Sequence, residues 1–243
     1  MRTFVRTCVT AAVLAGVCRQ TTALENGAAR TPPMGWNTFN AFKGGWTDAT
    51  IRCAADSLVS TGLAACGYII VCADGHWSGT SPYWPGKTGF VNWAKPLADY
   101  VHAQGLKFGV YMHNTDNPQK TASDLVQAGV DYLKHDQFLV PSTNPAYPAM
   151  RDALVATGKP IVYSIHGSDH VMGTDLANMY RTADDIVASW EIVMRNYDHN
   201  YSQLSRAGPG NWADPDMLEV GCPYVVADGS NKGFLLTDAE MRS

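Results

Sequence analysis

The sequence predicts an α/β fold of the TIM type, a (β/α)8 barrel of which seven strands are legible. Three observations carry that expectation. Short apolar runs alternate with longer amphipathic ones, polar residues gather at the C-terminal ends of the apolar runs, and no G-x-G-x-x-G or P-loop pattern is present. Alternation of strand and helix points to a parallel sheet. A doubly wound sheet would concentrate its polar residues at one switch point, whereas a barrel collects them from nearly every strand onto one face. Here they come from Asp74 with His76, His113, Lys134 with Asp136, His166, Asp185, and Asp214 with Asp216. The distribution is that of a barrel.

The elements follow in order. Strands are expected at 34–39, 68–74, 107–113, 131–136, 161–166, 181–186 and 212–218. Helices are expected at 48–61, 91–104, 120–128, 145–157, 172–180 and 189–206. In the first helix, Ile51, Ala54, Ala55, Leu58 and Val59 recur at helical spacing, Thr47 or Asp48 can cap its start, and Gly62 can end it. An eighth strand belongs after a helix that begins near Thr237, and the sequence reaches Ser243 before it. The expectation is therefore a barrel lacking its eighth strand, with two sheet edges left unpaired.

The 243 residues suit one large domain. Net charge is −4 and the sequence pI about 5.9, so no basic face favours nucleic acid or an anionic membrane. Residues 1–23 read as a secretion signal peptide. Arg2 and Arg6 form a basic start, Cys8 to Val17 an apolar run too short to span a bilayer, and Thr21 and Ala23 the small residues before a cut ahead of Leu24. Residues 24–243 then form the barrel domain of a secreted, extracellular protein. Export permits a disulfide among Cys53, Cys66, Cys72 and Cys222, with pairing open, and Asn200-Tyr201-Ser202 is a glycosylation sequon.

Lys134 and Asp136 are two apart on one strand and point to the same side, the barrel mouth. A carboxylate beside an ammonium stays ionised, as a glycosidic nucleophile must; the plainer alternative is an ion pair capping the next helix. Asp184 and Asp185 follow Arg181, and on a strand only one of the two can face inward. Asp216 can accept hydrogen bonds from sugar hydroxyls, while Trp36, Trp77 and Trp212 offer flat faces for a sugar ring. His76, His113, His135 and His166 raise a metal-centre alternative, but they form neither HxH nor HExxH. Neither metal nor cofactor is expected.

Thr31-Pro32-Pro33-Met34-Gly35-Trp36-Asn37-Thr38-Phe39 resembles the opening signature of the family 27 glycoside hydrolases, the α-galactosidase and α-N-acetylgalactosaminidase family. Gly62 to Tyr68, Lys134 to Asp136, Arg181 to Asp185 and Asp214 to Leu218 follow in the family's order. The resemblance implies a catalytic barrel followed by an antiparallel β-domain, which is expected to be missing here, and a retaining double displacement. It places the nucleophile on Asp136 and the acid/base on Asp185, preferred over Asp184 by its spacing from Arg181 and its place before Ile186. It implies sugar contacts from Asp74, Lys134, Arg181 and Asp216, and an aromatic wall at Trp36. Retention requires the two carboxyl groups to stand about 5–5.5 Å apart.

Several positions depart from the family pattern. Asp74-Gly75 stands where an Asp-Asp pair is usual, His76 and Phe138 occupy places often held by disulfide cysteines, and Met112-His113-Asn114 replaces the usual third-strand ending. His166 takes the place of a Glu that shapes the pocket for the 2-substituent. The resulting expectation is a retaining hydrolase of terminal α-linked galactose-type residues, with a carbohydrate substrate as partner. The alternative is a non-catalytic family member that only binds carbohydrate.

Overall fold

The computed structural model describes residues 23–75, 83–113, 115–136, 145–166, 176–221 and 236–242. Seven strands form one sheet in chain order: β1 (Gly35–Asn37), β2 (Ile70–Ala73), β3 (Lys107–Met112), β4 (Tyr132–Asp136), β5 (Val162–His166), β6 (Met179–Arg181) and β7 (Trp212–Asp214). Every neighbouring pair is parallel. The helices are α1 (Phe39–Phe42), α2 (Asp48–Ser60), α3 (Phe90–Ala103), α4 (Pro118–Ala128), α5 (Ala146–Ala156) and α6 (Trp190–Gln203). The sheet curls, because Lys134 on β4 reaches past β3 to Asp74 beyond the end of β2, with Nζ 2.7 Å from Oδ2. This is the parallel, helix-covered sheet of a TIM barrel, with seven of its strands among the described residues. Among the described residues, β7 and β1 are its unpaired edges.

Local chemistry explains the element ends. Thr47 caps α2 in a reciprocal box with Thr50, whose side chain accepts from the Thr47 backbone N–H. Asn117 caps α4 by accepting from Lys120 N at 2.9 Å, Pro118 takes the first turn, and Gly129 closes the helix with φ 82°. The sheet and helices meet in one apolar layer that includes Ile51, Leu97, Phe108, Leu125, Leu133, Met150 and Ile165, all buried.

Two expected elements differ from what forms. The sixth strand ends at Arg181 instead of beginning there, and the helix expected over 172–180 gives way to β6 at Met179–Arg181. Asn178 accounts for the frame. Its buried side chain accepts from Tyr163 N and donates to Gly210 O, joining the starts of β5, β6 and β7. The first strand is also shorter than 34–39, since Asn37 Oδ1 accepts from Phe39 N and turns the chain into α1.

The segment after the expected leader closes the floor of the barrel. Asn26 Nδ2 donates to Ile161 O and lies 3.1 Å from Asn178 Oδ1, while Ala29 O accepts from both Gly210 N and Trp212 Nε1. The leader itself and Cys222 lie outside the described residues. Cys53, Cys66 and Cys72 are free thiols, so none of these three carries the disulfide expected of an exported chain. Asn200 of the sequon sits on α6 with Oδ1 accepting from Thr182. No helix among the described residues is long and apolar enough to cross a membrane.

Candidate active site

Parallel register sorts the side chains. Tyr111, Lys134 and Ser164 are paired across β3, β4 and β5, and Asp136 is paired with His166. Residues at one height in a parallel sheet share a face, so Lys134, Asp136, Ser164 and His166 all enter the lumen. His135 points the other way, toward α5, where its ring meets Tyr147 and its Nδ1 lies 2.7 Å from Tyr163 Oη. Burial lowers His135 to about 3, and it is neutral packing at the back of the sheet. His76, Trp77, Asn114 and Phe138 lie outside the described residues.

A narrow cleft opens at the C-terminal end of the strands. Phe39, Asn40, Asp74, Lys134, Asp136, Asp185, Asp216 and Met217 line it. Five of the eight residues expected at the site therefore converge there: Asp74, Lys134, Asp136, Asp185 and Asp216. Arg181 and His166 stand directly against them, and only Trp36 does not belong to the group.

Asp74 anchors one side. Its Oδ2 accepts from Lys134 Nζ at 2.7 Å and from Asn37 Nδ2 at 2.9 Å. Its backbone is held by Thr38, which both donates to Asp74 O and accepts from Asp74 N, and by Trp46 Nε1. Burial works against the Lys134 ammonium, yet Asp74 and Asp216 outweigh it and hold its pKa above the ordinary lysine value. Lys134 is a fixed cation.

Asp136 ends β4 and is 7% exposed. Burial pushes its carboxyl up, but His166, Lys134 and Arg181 together pull it below the usual carboxylate value. His166 Nδ1 lies 3.2 Å from Asp136 Oδ1, a close contact that favours the ionised carboxyl. His113 Nδ1 stands 2.8 Å from the Asp136 carbonyl oxygen and holds the backbone there. In the structure, His166 thus backs the carboxylate and is not part of the cleft wall.

The opposite side is built on Arg181, which is buried at the end of β6. Its guanidinium donates to Ala183 O and meets Asp185 Oδ1 at 3.3 Å and Asp216 Oδ2 at 3.1 Å. The same Asp216 oxygen accepts from Ile186 N at 2.8 Å, tying the loop after β6 to the loop after β7. Asn196 on α6 ties them again, donating to Asp184 O and Pro215 O. Asp214 is raised by burial, partly countered by Arg181. Asp185 lies in a loop rather than on a strand, so strand alternation is not what separates it from Asp184. Both are exposed, and the Arg181 guanidinium reaches Asp185.

Trp36 is misplaced as an aromatic wall. Asn37 turns into the lumen toward Asp74, so Trp36 faces outward, packing edge-on to Phe42 and against the core. Trp212 begins β7 at the barrel floor, where Nε1 donates to Ala29 O. The cleft's aromatic side chain is Phe39, with Lys43 Nζ 4.5 Å and Lys134 Nζ 5.8 Å from its ring centre. Phe39 went unread because the strand was taken to run through it. The Asn at 37, two residues earlier, is the turn signal that reveals it.

Comparison with known proteins gives the family. Residues 31–236 match the family described as Alpha galactosidase A. The chain is 41% identical over 224 residues to alpha-galactosidase 3 of Arabidopsis thaliana, covering 82% of this chain and 50% of that protein. Alpha-galactosidase I of Mortierella vinacea superposes with a TM-score of 0.71 at 26% identity, covering 81% of this chain and 62% of that one. The Saccharomyces cerevisiae alpha-galactosidase solved with raffinose gives 0.66 at 25% identity, covering 83% and 55%. The chain spans about half the length of the curated relatives it matches. With its opening motif, strand-end carboxylates and parallel barrel sheet, the chain belongs to the alpha-galactosidase A family, within the family 27 glycoside hydrolases.

Proposed function

We propose that this cleft is the catalytic centre of a retaining glycosidase that removes terminal α-linked galactose-type residues from oligosaccharides or polysaccharides. The observation that carries the reading is the pair of carboxylates in one cleft, Asp136 from β4 and Asp185 from the loop after β6, in contrasting surroundings. Asp136, held ionised by its cationic neighbours, attacks the anomeric carbon. Asp185, on the solvent side, protonates the leaving oxygen and then takes a proton from the water that releases the sugar. Lys134, Arg181, Asp74 and Asp216 hold the sugar's hydroxyls, with Phe39 as the apolar wall. The raffinose-bound yeast relative makes an α-galactoside the first substrate to try. The leader read at residues 1–23 supports a secreted, extracellular protein.

The edges of β1 and β7, unpaired among the described residues, favour a second reading, a carbohydrate-binding protein without turnover. Hydrolysis of p-nitrophenyl α-D-galactopyranoside separates the two. Turnover that Asp136→Asn abolishes, with folding intact, supports the glycosidase. Galactose binding without turnover, equal in wild type and Asp136→Asn, supports the binder and overturns the glycosidase.

A further inference from the structure

Three buried polar atoms of the cleft lining have no hydrogen-bond partner; Asp136 Oδ1 faces His166, which leaves Asn40 Nδ2 and Asp74 Oδ1. Asn40 is 8% exposed and Asp74 is fully buried. Buried polar groups are almost always paired, so an orphan donor and an orphan acceptor in one cleft mark a place that a ligand completes. The two atoms are complementary. Asp74 has already committed Oδ2 to Lys134 and Asn37, which leaves Oδ1 to accept. An alcohol oxygen can accept from an amide and donate to a carboxylate at once, and a pyranose carries several such groups.

The backbone beside this pair accounts for the need. Gly75 has φ +97°, and a Cβ there would stand 2.7 Å from Lys43 O, so no side chain fits next to Asp74. The obstructing carbonyl lies in a tight turn in which Phe42 O accepts from Gly45 N. Lys43 there takes φ 52° and ψ −120°, a conformation that costs a non-glycine residue strain. Asn40 lies three residues before Lys43. The α1 turn that excludes a second carboxylate from position 75 thus also supplies an amide to the cleft.

We propose that Asn40 is a specificity-determining residue of this site, its Nδ2 donating to a ring hydroxyl of the bound sugar whose own proton goes to Asp74 Oδ1. The proposal rests on the glycosidase reading. The test compares wild type, Asn40→Ala and Asn40→Asp on p-nitrophenyl α-D-galactopyranoside and its 2-, 3-, 4- and 6-deoxy analogues, with galactose binding measured by calorimetry. Asn40→Ala is expected to lower kcat/KM about 10- to 100-fold on the parent and on three analogues, and less than about threefold on the analogue lacking the shared hydroxyl. Asp74→Asn should show its weakest effect on that same analogue. Asn40→Asp, nearly the same size but without the donor, should repeat the pattern, and it serves if the alanine variant does not fold. A uniform loss across all five substrates, or no loss, overturns the role of Asn40 while leaving the glycosidase standing. A wild type that neither hydrolyses nor binds galactosides overturns both.

Discussion

The two sides of the cleft hold the same residue type in opposite conditions. On the side built from β2, β4 and β5, Asp136 is 7% exposed and surrounded by Lys134, His166 and Arg181. On the side built from β6 and β7, the Asp185 side chain is 69% exposed and is met by a single guanidinium nitrogen. A buried carboxylate keeps its charge only through fixed neighbours, whereas a solvated one keeps freedom to exchange protons. The comparison teaches that burial together with fixed cations can set two carboxylates of one cleft apart, as the proposed double displacement requires. The strand end holds the group that must stay charged, and the loop holds the group that must cycle.

The largest expected effect tests that division directly. Asp136→Asn should reduce kcat on p-nitrophenyl α-D-galactopyranoside by roughly 10⁴-fold or more. Asp185→Asn should cost about 10²–10⁴-fold, with the larger loss on raffinose, whose leaving group needs the proton more. Equal losses on both substrates would break the assignment of Asp185 as acid. Next comes Arg181→Met, which takes the guanidinium away from Asp216 and Asp214 and leaves them only Lys134. Removing one partner of a buried charge cluster costs about 3–5 kcal/mol, to be read by urea denaturation. Asp185→Asn should change stability by less than about 0.5 kcal/mol, as expected of an exposed site.

A smaller effect concerns pH. His166 helps to hold the Asp136 carboxyl below its ordinary value, so His166→Ala should raise that carboxyl. The acidic limb of kcat/KM then moves upward by up to about one pH unit, and activity at pH 4 falls relative to pH 6. An unmoved limb would assign Asp136's charge to Lys134 and Arg181 alone. The smallest effect belongs to Glu219, raised to about 7 by burial and by Asp216, with Lys43 opposing. Its folded value exceeds its ordinary 4.5, so the folded chain binds more protons, and stability falls as pH rises from about 4.5 to 7. Glu219→Gln should flatten that decline and raise Tm at pH 8 by a few degrees.

How much of this was legible depended on whether the signal was local. Asp136 could be read because a strand end, a charge two residues earlier and an ordered motif agree. The span of α2 could be read because Thr47 and the apolar spacing both mark it. The sixth strand was misframed because it is three residues long and its frame is set by Asn178, whose partners lie on β5 and before β7. Trp36 and Phe39 were exchanged because period-two reading cannot see that Asn37 stops the strand. Asp185 was preferred over Asp184 by motif, whereas the contact that marks it in the fold is Arg181's reach along a loop, which needs three-dimensional placement. Asn40 carried no signal at all, since only an unpaired amide in a formed cleft marks it.

The floor of the barrel has a bearing on how the chain reaches this state. Asn26 is bonded to Ile161 and lies against Asn178, 135 and 152 residues away, and Ala29 accepts from Trp212 across 183. Contacts of such separation form late, because the entropy of closing the long loop is spent before they stabilise anything. During synthesis, Ala29 emerges long before β7 and then waits for Trp212 before it finds its partner. The strand ends on the opposite face come from neighbouring strands of a sheet that can grow in chain order. Refolding should therefore show the Trp212 environment settling after the bulk of the sheet, so that the cleft's walls are assembled before the barrel beneath them is sealed.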